Sequence, residues 1–277
     1  MIFVAGATGN VGSEVVRALT AAGAPVRALV RAPEKARLPD GAEAVPGDLD
    51  RPDTLTDALK GARAAFLLPG YADMPGLLAE VRRAGVEHVV LLSGGSAGSG
   101  DMTNAVTRYM AQSEAAVRES GVPWTFLRPS GFMSNALRWL PQIRAGDRIR
   151  VSFPAVRVAF VDPFDLGAVA ARALLGGGHR GEILWPTGPE ALLPADQVAV
   201  LARVLGRDLR AVGLSDAETR AEMTAAMPVE YVDAFFDFYV DGSLDESIVR
   251  PTVLEVTGRA PRTFADWADA HADGFRR

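Results

Sequence analysis

Three glycines at fixed spacing stand where the chain first turns. Gly6-Ala7-Thr8-Gly9-Asn10-Val11-Gly12 lies between a short apolar run, residues 2–5, and a stretch in which Val11, Val15, Ala18, Leu19 and Ala22 recur at helical spacing. Between a strand and a helix each glycine has its own task. Gly6 turns the strand sharply, Gly9 lets backbone approach a pyrophosphate, and Gly12 lets helix and strand pack closely. The helix start offers unpaired amides and a partial positive charge to phosphate oxygens. Thr8, Asn10 and Val11 complete the cradle, and the spacing predicts a dinucleotide site.

Cofactor choice rests on the end of the next β-rich run, residues 25–30. A carboxylate there would bond the adenosine ribose and repel a 2′-phosphate. This chain has Arg31, with Lys35 and Arg37 close behind. Arginine can stack on adenine and pair with the phosphate, each charge-assisted bond contributing ~1.5–3 kcal/mol. NADP(H) is therefore expected over NAD(H), and Glu34 keeps NAD(H) in play. Asp48 is placed to accept a bond from the adenine amino group, with Leu49 beside it. Leu67, Leu68 and Pro69 are expected to wall the cofactor cleft.

Such residues need a sheet to position them. Residues 1–130 alternate β-branched runs (2–5, 25–30, 43–46, 64–68, 88–92 and 124–127) with amphipathic stretches (11–22, 54–60, 77–84 and 103–120). That is the pattern of a parallel sheet covered by helices. Beyond Pro129 the alternation decays into strands expected at 158–161 and 182–185, helices at 163–175 and 194–205, and a capping box of Ser215 and Glu218. The expected fold is α/β: a Rossmann-like doubly wound parallel sheet in residues 1–130. Residues 131–277 form a smaller, mainly helical substrate lobe, interleaved with returning core elements, over the sheet edge where such folds bind ligands.

Composition excludes several chemistries. The 277 residues contain no cysteine, which removes disulfides, thiolate zinc sites and a cysteine nucleophile. His88, His179 and His271 are far apart in sequence, so no metal site is expected. A net charge of −5 is a poor footprint for nucleic acid. No apolar run approaches the ~18–20 residues of a membrane span, and no signal peptide is visible, so a cytoplasmic protein is expected. Lys35 and Lys60 are the only lysines, which rules out Schiff-base chemistry after residue 60.

With the glycine turn, Leu29-Val30-Arg31, Gly47-Asp48-Leu49, Leu91-Leu92-Ser93, Trp124-Thr125-Phe126-Leu127-Arg128-Pro129 followed by Gly131-Phe132, and Val256-Thr257-Gly258-Arg259, the chain resembles the atypical short-chain dehydrogenase/reductase superfamily. Within it the resemblance is to NmrA-like NAD(P)-binding proteins. It implies a Rossmann domain with a small C-terminal substrate lobe. It leaves activity open among quinone reductases, tailoring reductases and non-catalytic redox-sensing regulators. Pro129 and Ser130 resemble the loop that presents backbone to the nicotinamide, and Phe132, Met133 and Asn135 would border the substrate pocket. For Asn135 a helix-end hydrogen bond is the alternative.

Most short-chain dehydrogenases carry a tyrosine with a lysine four residues later, so that the ammonium lowers the phenol's pKa and the phenol protonates a carbonyl. Here Tyr71, Tyr109, Tyr231 and Tyr239 are followed at that spacing by Pro75, Ser113, Phe235 and Ser243. In the family's register the two positions fall on Met110 and Glu114. Tyr109 is a weak candidate acid, one residue and ~100° of helix rotation away. Ser93 stands where many relatives bond substrate or nicotinamide, though its hydroxyl could instead satisfy the following turn.

Lacking an obvious proton donor, hydride transfer remains feasible to acceptors that delocalise charge, which favours a small quinone-like or aromatic, polyketide-like ketone and allows net hydroxylation with oxygen. The other class considered is a dinucleotide sensor that binds a partner protein. Gly94-Gly95-Ser96-Ala97-Gly98 matches a hydrolase elbow, but a flexible loop follows it instead of a helix. Tyr231, Phe235 and Tyr239 form a stripe read first as lobe core, with an aromatic substrate wall or a homodimer patch as alternatives.

Overall fold

The computed structural model describes residues 1–276. Short apolar runs form β1 (Ile2–Val4), β2 (Val26–Val30), β3 (Ala42–Pro46), β4 (Ala64–Leu67), β5 (His88–Leu92) and β6 (Trp124–Leu127). Between them lie α1 (Gly12–Ala21), α2 (Thr56–Leu59), α3 (Met74–Arg83) and α4 (Ala105–Glu119). The later chain adds α5 (Leu140–Ala145), β7 (Arg148–Val151), α6 (Pro163–Gly176), β8 (Ile183–Leu184), α7 (Pro194–Leu205) and β9 (Arg210–Gly213). It closes with α8 (Asp216–Ala226), α9 (Val229–Tyr239), α10 (Thr252–Thr257) and α11 (Phe264–Arg276).

Seven strands pair in the order β3-β2-β1-β4-β5-β6-β8, all parallel. The order reverses between β1 and β4, the crevice where doubly wound sheets take ligands. Strands buried on both faces read as continuous apolar runs, and β4 and β5 are buried throughout. On one face Val15, Leu19, Phe66, Leu166 and Val169 join α1 and α6 to the sheet. On the other, Leu55, Leu77, Val81, Val89 and Phe126 join α3 and its neighbours. A third cluster, built on Trp139, Ile149, Leu201 and Trp267, is the core of the smaller lobe.

Local chemistry sets the boundaries. The Asp73 side chain accepts from the Gly76 amide at 2.8 Å and starts α3 at Met74, three residues before the apolar periodicity suggests. Asp162 likewise caps α6. The strand expected at 158–161 does not form: Val158 and Val161 make only isolated bridges, to Leu192 and Phe132. The pairing partners in this lobe are instead β7 and β9, a parallel two-stranded sheet. Arginines on the outer face of β7 dilute the apolar signal by which a strand is recognised. Asp165 is fully buried and ties the segment after α10 to α6, accepting from Arg259 and from the Arg262 amide, both at 2.6 Å.

Candidate active site

The glycine turn sits at the switch point. Parallel pairing of Ile2 with Ala64 brings the ends of β1 and β4 together, so Gly6, at φ +60°, lies under Leu68. A Cβ at Gly6 would stand 2.6 Å from Leu68 Cδ1, and one at Gly12 would stand 2.1 Å from the Gly6 carbonyl oxygen. Thr8, Gly9 and Asn10 are exposed beyond the turn. Among the described residues the amides of Thr8, Asn10, Val11 and Gly12 have no internal acceptor, whereas that of Gly9 is returned to Gly6. A cradle of free amides at the start of a ten-residue helix fits a pyrophosphate. Arg31, Lys35 and Arg37 are exposed just past β2 and make no ion pair among the described residues, with Glu34 included. Asp48 is exposed, and its Oδ1 holds the Asp50 amide at 3.0 Å.

Two expected cleft residues need correction. Leu67 is fully buried and Leu49 nearly so, and both side chains belong to the core cluster on the α3 side of the sheet instead of the cleft surface. Leu68 and Pro69 are partly exposed at its edge.

Where the lysine of the usual dyad would stand, Glu114 is 1% exposed and sits inside a charged knot. It accepts from Arg128 through Nε at 2.8 Å and Nη2 at 2.7 Å, from Arg118 at 3.1 Å, and from the Ser93 hydroxyl at 2.7 Å. The two-pronged arginine contact matches carboxylate geometry. Ser93 is buried with its proton committed to Glu114. The Arg128 guanidinium also lies 5.2 Å from the centre of the Trp185 ring. The knot joins the ends of β5 and β6 to α4 and thereby sets the loop that starts at Pro129. Tyr109 packs on Gly70 and edge-on to Tyr231 at 6.4 Å. Burial first, and then Tyr231, raises its pKa and makes it a poorer acid.

Beyond that loop a cavity of 670 Å³ opens, lined wholly by residues from Gly131 to Tyr239. Gly131, Asn135 and Arg138 form one side; Phe153, Phe160, Phe235 and Tyr239 supply aromatic wall. Asn135 lines this cavity. Met133 does not: it is 1% exposed in the lobe core. Phe132 packs on the sheet's core beside Val161 and is also absent from the wall. Pro129 and Ser130 are buried, and the Ser130 hydroxyl donates to the Ala159 carbonyl. The aromatic stripe divides by face: Phe236 and Phe238 are core, while Phe235 and Tyr239 face the cavity, against the first reading of the stripe. Phe153, at φ +48°, holds a left-handed backbone that side chains rarely adopt. Its ring is set 5.1 Å from Tyr239.

Ser134, Arg138 and the Glu246 that meets Tyr239 carried no sequence signal. The Tyr239 hydroxyl donates to Glu246 Oε2 at 2.6 Å. Burial, and next Glu246, pushes Tyr239 well above its ordinary pKa, and burial also raises Glu246. Arg138 and Ser134 lie on a 3-10 segment, Met133–Trp139, whose period of three hides both among apolar neighbours. Among the described residues no group of histidine, aspartate and glutamate could hold a metal ion, and no helix is long and apolar enough to cross a membrane.

Residues 6–149 match the model of a family described as NAD(P)H-binding. A (4-alkanoyl-5-oxo-2,5-dihydrofuran-3-yl)methyl phosphate reductase of Streptomyces griseus is 42% identical over 280 residues, covering 99% of each chain. An NAD(P)H azoreductase of Xenophilus azovorans is 37% identical, again over 99% of each. The crystal structure of an NADPH-dependent quinone oxidoreductase of Escherichia coli complexed with NADPH superposes with a TM-score of 0.81 at 23% identity, covering 99% of this chain and 100% of that one. The free amides at the switch point, the family match and two relatives aligned end to end lead to one assignment: the chain belongs to the NAD(P)H-binding, NmrA-like branch of the atypical short-chain dehydrogenase/reductases, a family of NAD(P)H-dependent reductases.

Proposed function

We infer that the protein reduces a small, electron-poor conjugated carbonyl compound, quinone-like or an aromatic ketone. The observation that carries this reading is the 670 Å³ aromatic-walled cavity beginning at Gly131, immediately after the loop set by the Glu114 knot. The amides of the glycine turn would hold the pyrophosphate, and Arg31 and Lys35 the 2′-phosphate. The bound nicotinamide supplies hydride. The wall residues then orient the acceptor and exclude water, which is most of what a charge-delocalising substrate requires. The named substrate of the 42%-identical relative supports the class, because its ring alkene is conjugated to a carbonyl.

NADPH oxidation should be followed with a panel of quinones, polycyclic aromatic ketones and acyl-substituted unsaturated lactones, with and without oxygen. Turnover of a subset is expected, and oxygen-dependent hydroxylated product would identify a hydroxylating variant. Tight NADPH binding with no oxidation across the panel would overturn this reading and favour a sensor that reports cofactor state to a partner protein.

A further inference from the structure

Two arginines face the cavity, and they differ in one respect. Arg150 is neutralised: its Nε donates to Glu222 at 2.8 Å, and Glu218 lies 3.7 Å from its Nη2. Arg138 has no carboxylate within ion-pairing distance and no hydrogen-bond acceptor among the described residues, and its guanidinium lies 5.4 Å from the centre of the Trp139 ring. Arg138 is exposed and lines the cavity, to which it presents an uncompensated positive charge. An unneutralised guanidinium on a cavity wall attracts an anion, and its fork of N–H donors can pair with carboxylate or phosphate oxygens. One turn away, Ser134 is 7% exposed, lines the same cavity, and its Oγ has no hydrogen-bond partner. A buried hydroxyl without a partner is uncommon. An unneutralised guanidinium and, one turn away, a buried hydroxyl without a partner among the described residues thus lie on the same segment of the cavity wall.

We propose that Arg138 and Ser134 form a subsite for an oxyanion, a phosphate monoester or a carboxylate, carried by the ligand that fills the cavity. The guanidinium supplies a planar pair of N–H donors, and the hydroxyl supplies a third. Arginine suits this task because its fork matches the oxygens of either group. The inference rests on the reductase reading only in taking this cavity as the substrate site.

The test is calorimetric titration of the full chain saturated with NADP+, so that the glycine turn is already filled. Phenyl phosphate, benzoate and phenol serve as probes at low salt. Phenyl phosphate or benzoate should bind about tenfold or more tighter than phenol, and the stronger of the two identifies the anion. Arg138→Gln should abolish that preference while leaving NADP+ affinity unchanged, Arg138→Lys should restore part of it, and Ser134→Ala should weaken it several-fold. Equal binding of charged and neutral probes, or a preference that survives Arg138→Gln, overturns the subsite. Failure of quinone reduction with the anion preference intact would overturn the reductase reading alone.

Discussion

Gly12 has no room for a methyl group, because its Cβ would fall 2.1 Å from the Gly6 carbonyl oxygen, a backbone atom that cannot swing aside. Gly12→Ala should therefore remove NADPH binding in a fluorescence titration while quinone-sized probes still enter the cavity. Tyr239 presents a different residue-scale problem. Its hydroxyl is bonded to Glu246, and Arg138 is the cation that acts on it from the cavity side. Burial raises Glu246, so the carboxyl stays protonated to higher pH than usual. A protonated Glu246 can donate to the phenol oxygen and release the Tyr239 hydroxyl towards a carbonyl. Reduction should then be fastest below the raised Glu246 pKa and decline as pH rises through it. Glu246→Gln should flatten the pH profile of kcat, and an unchanged profile would exclude the pair from proton delivery.

At the scale of elements, the ends of β5, β6 and α4 meet at Glu114. Removing one partner of a buried ion pair leaves an uncompensated charge, at a cost of about 3–5 kcal/mol. Glu114→Ala should lower stability by that order in chemical denaturation, and a change near zero would show that the knot is incidental. A second joint lies at the other end of β5. Thr125 donates its proton to the His179 carbonyl at 2.6 Å, so its oxygen accepts from His88 Nε2 at 2.9 Å, and Nδ1 is left bare and unpartnered. Burial, helped by Arg180 and His179, pushes His88 down to about 4. The unfolded chain titrates near ~6.5, so between these values unfolding takes up a proton. The stability that His88 contributes is complete above ~6.5 and is lost as pH falls towards 4. Urea midpoints measured from pH 7.5 to 4.5 should fall in the wild type, and His88→Gln should reduce the slope.

At the scale of the whole molecule, cofactor binding should read out as folding stability. A ligand that binds only the folded state stabilises it by about 2.7 kcal/mol at a hundredfold excess over Kd. For a chain of this size that raises Tm by about 4–8 °C. NADPH should give that shift, with NADH giving less at equal concentration. Arg31→Ala combined with Lys35→Ala should make the two cofactors equal, because those side chains make no ion pair among the described residues. An undiminished preference would place 2′-phosphate recognition elsewhere.

The amino-acid sequence by itself determined the sheet and its glycine turn. Strand runs, helical periodicity and positive-φ glycines are local properties, and in β1 through β6 nearby residues decide them. It also determined that the tyrosine–lysine pair is missing, a matter of residue identity alone. Tertiary structure decided what replaced it and what the pocket contains. Glu114 becomes a structural carboxylate only because α4 lies beside Arg128. Met133 turns inward while Arg138 and Ser134 turn to the cavity, because a 3-10 segment rotates side chains by its own period. Glu246 reaches Tyr239 from a stretch without regular structure, where no periodicity exists to be read. Contacts between distant segments depend on how separate elements pack, and one-dimensional spacing carries no record of that.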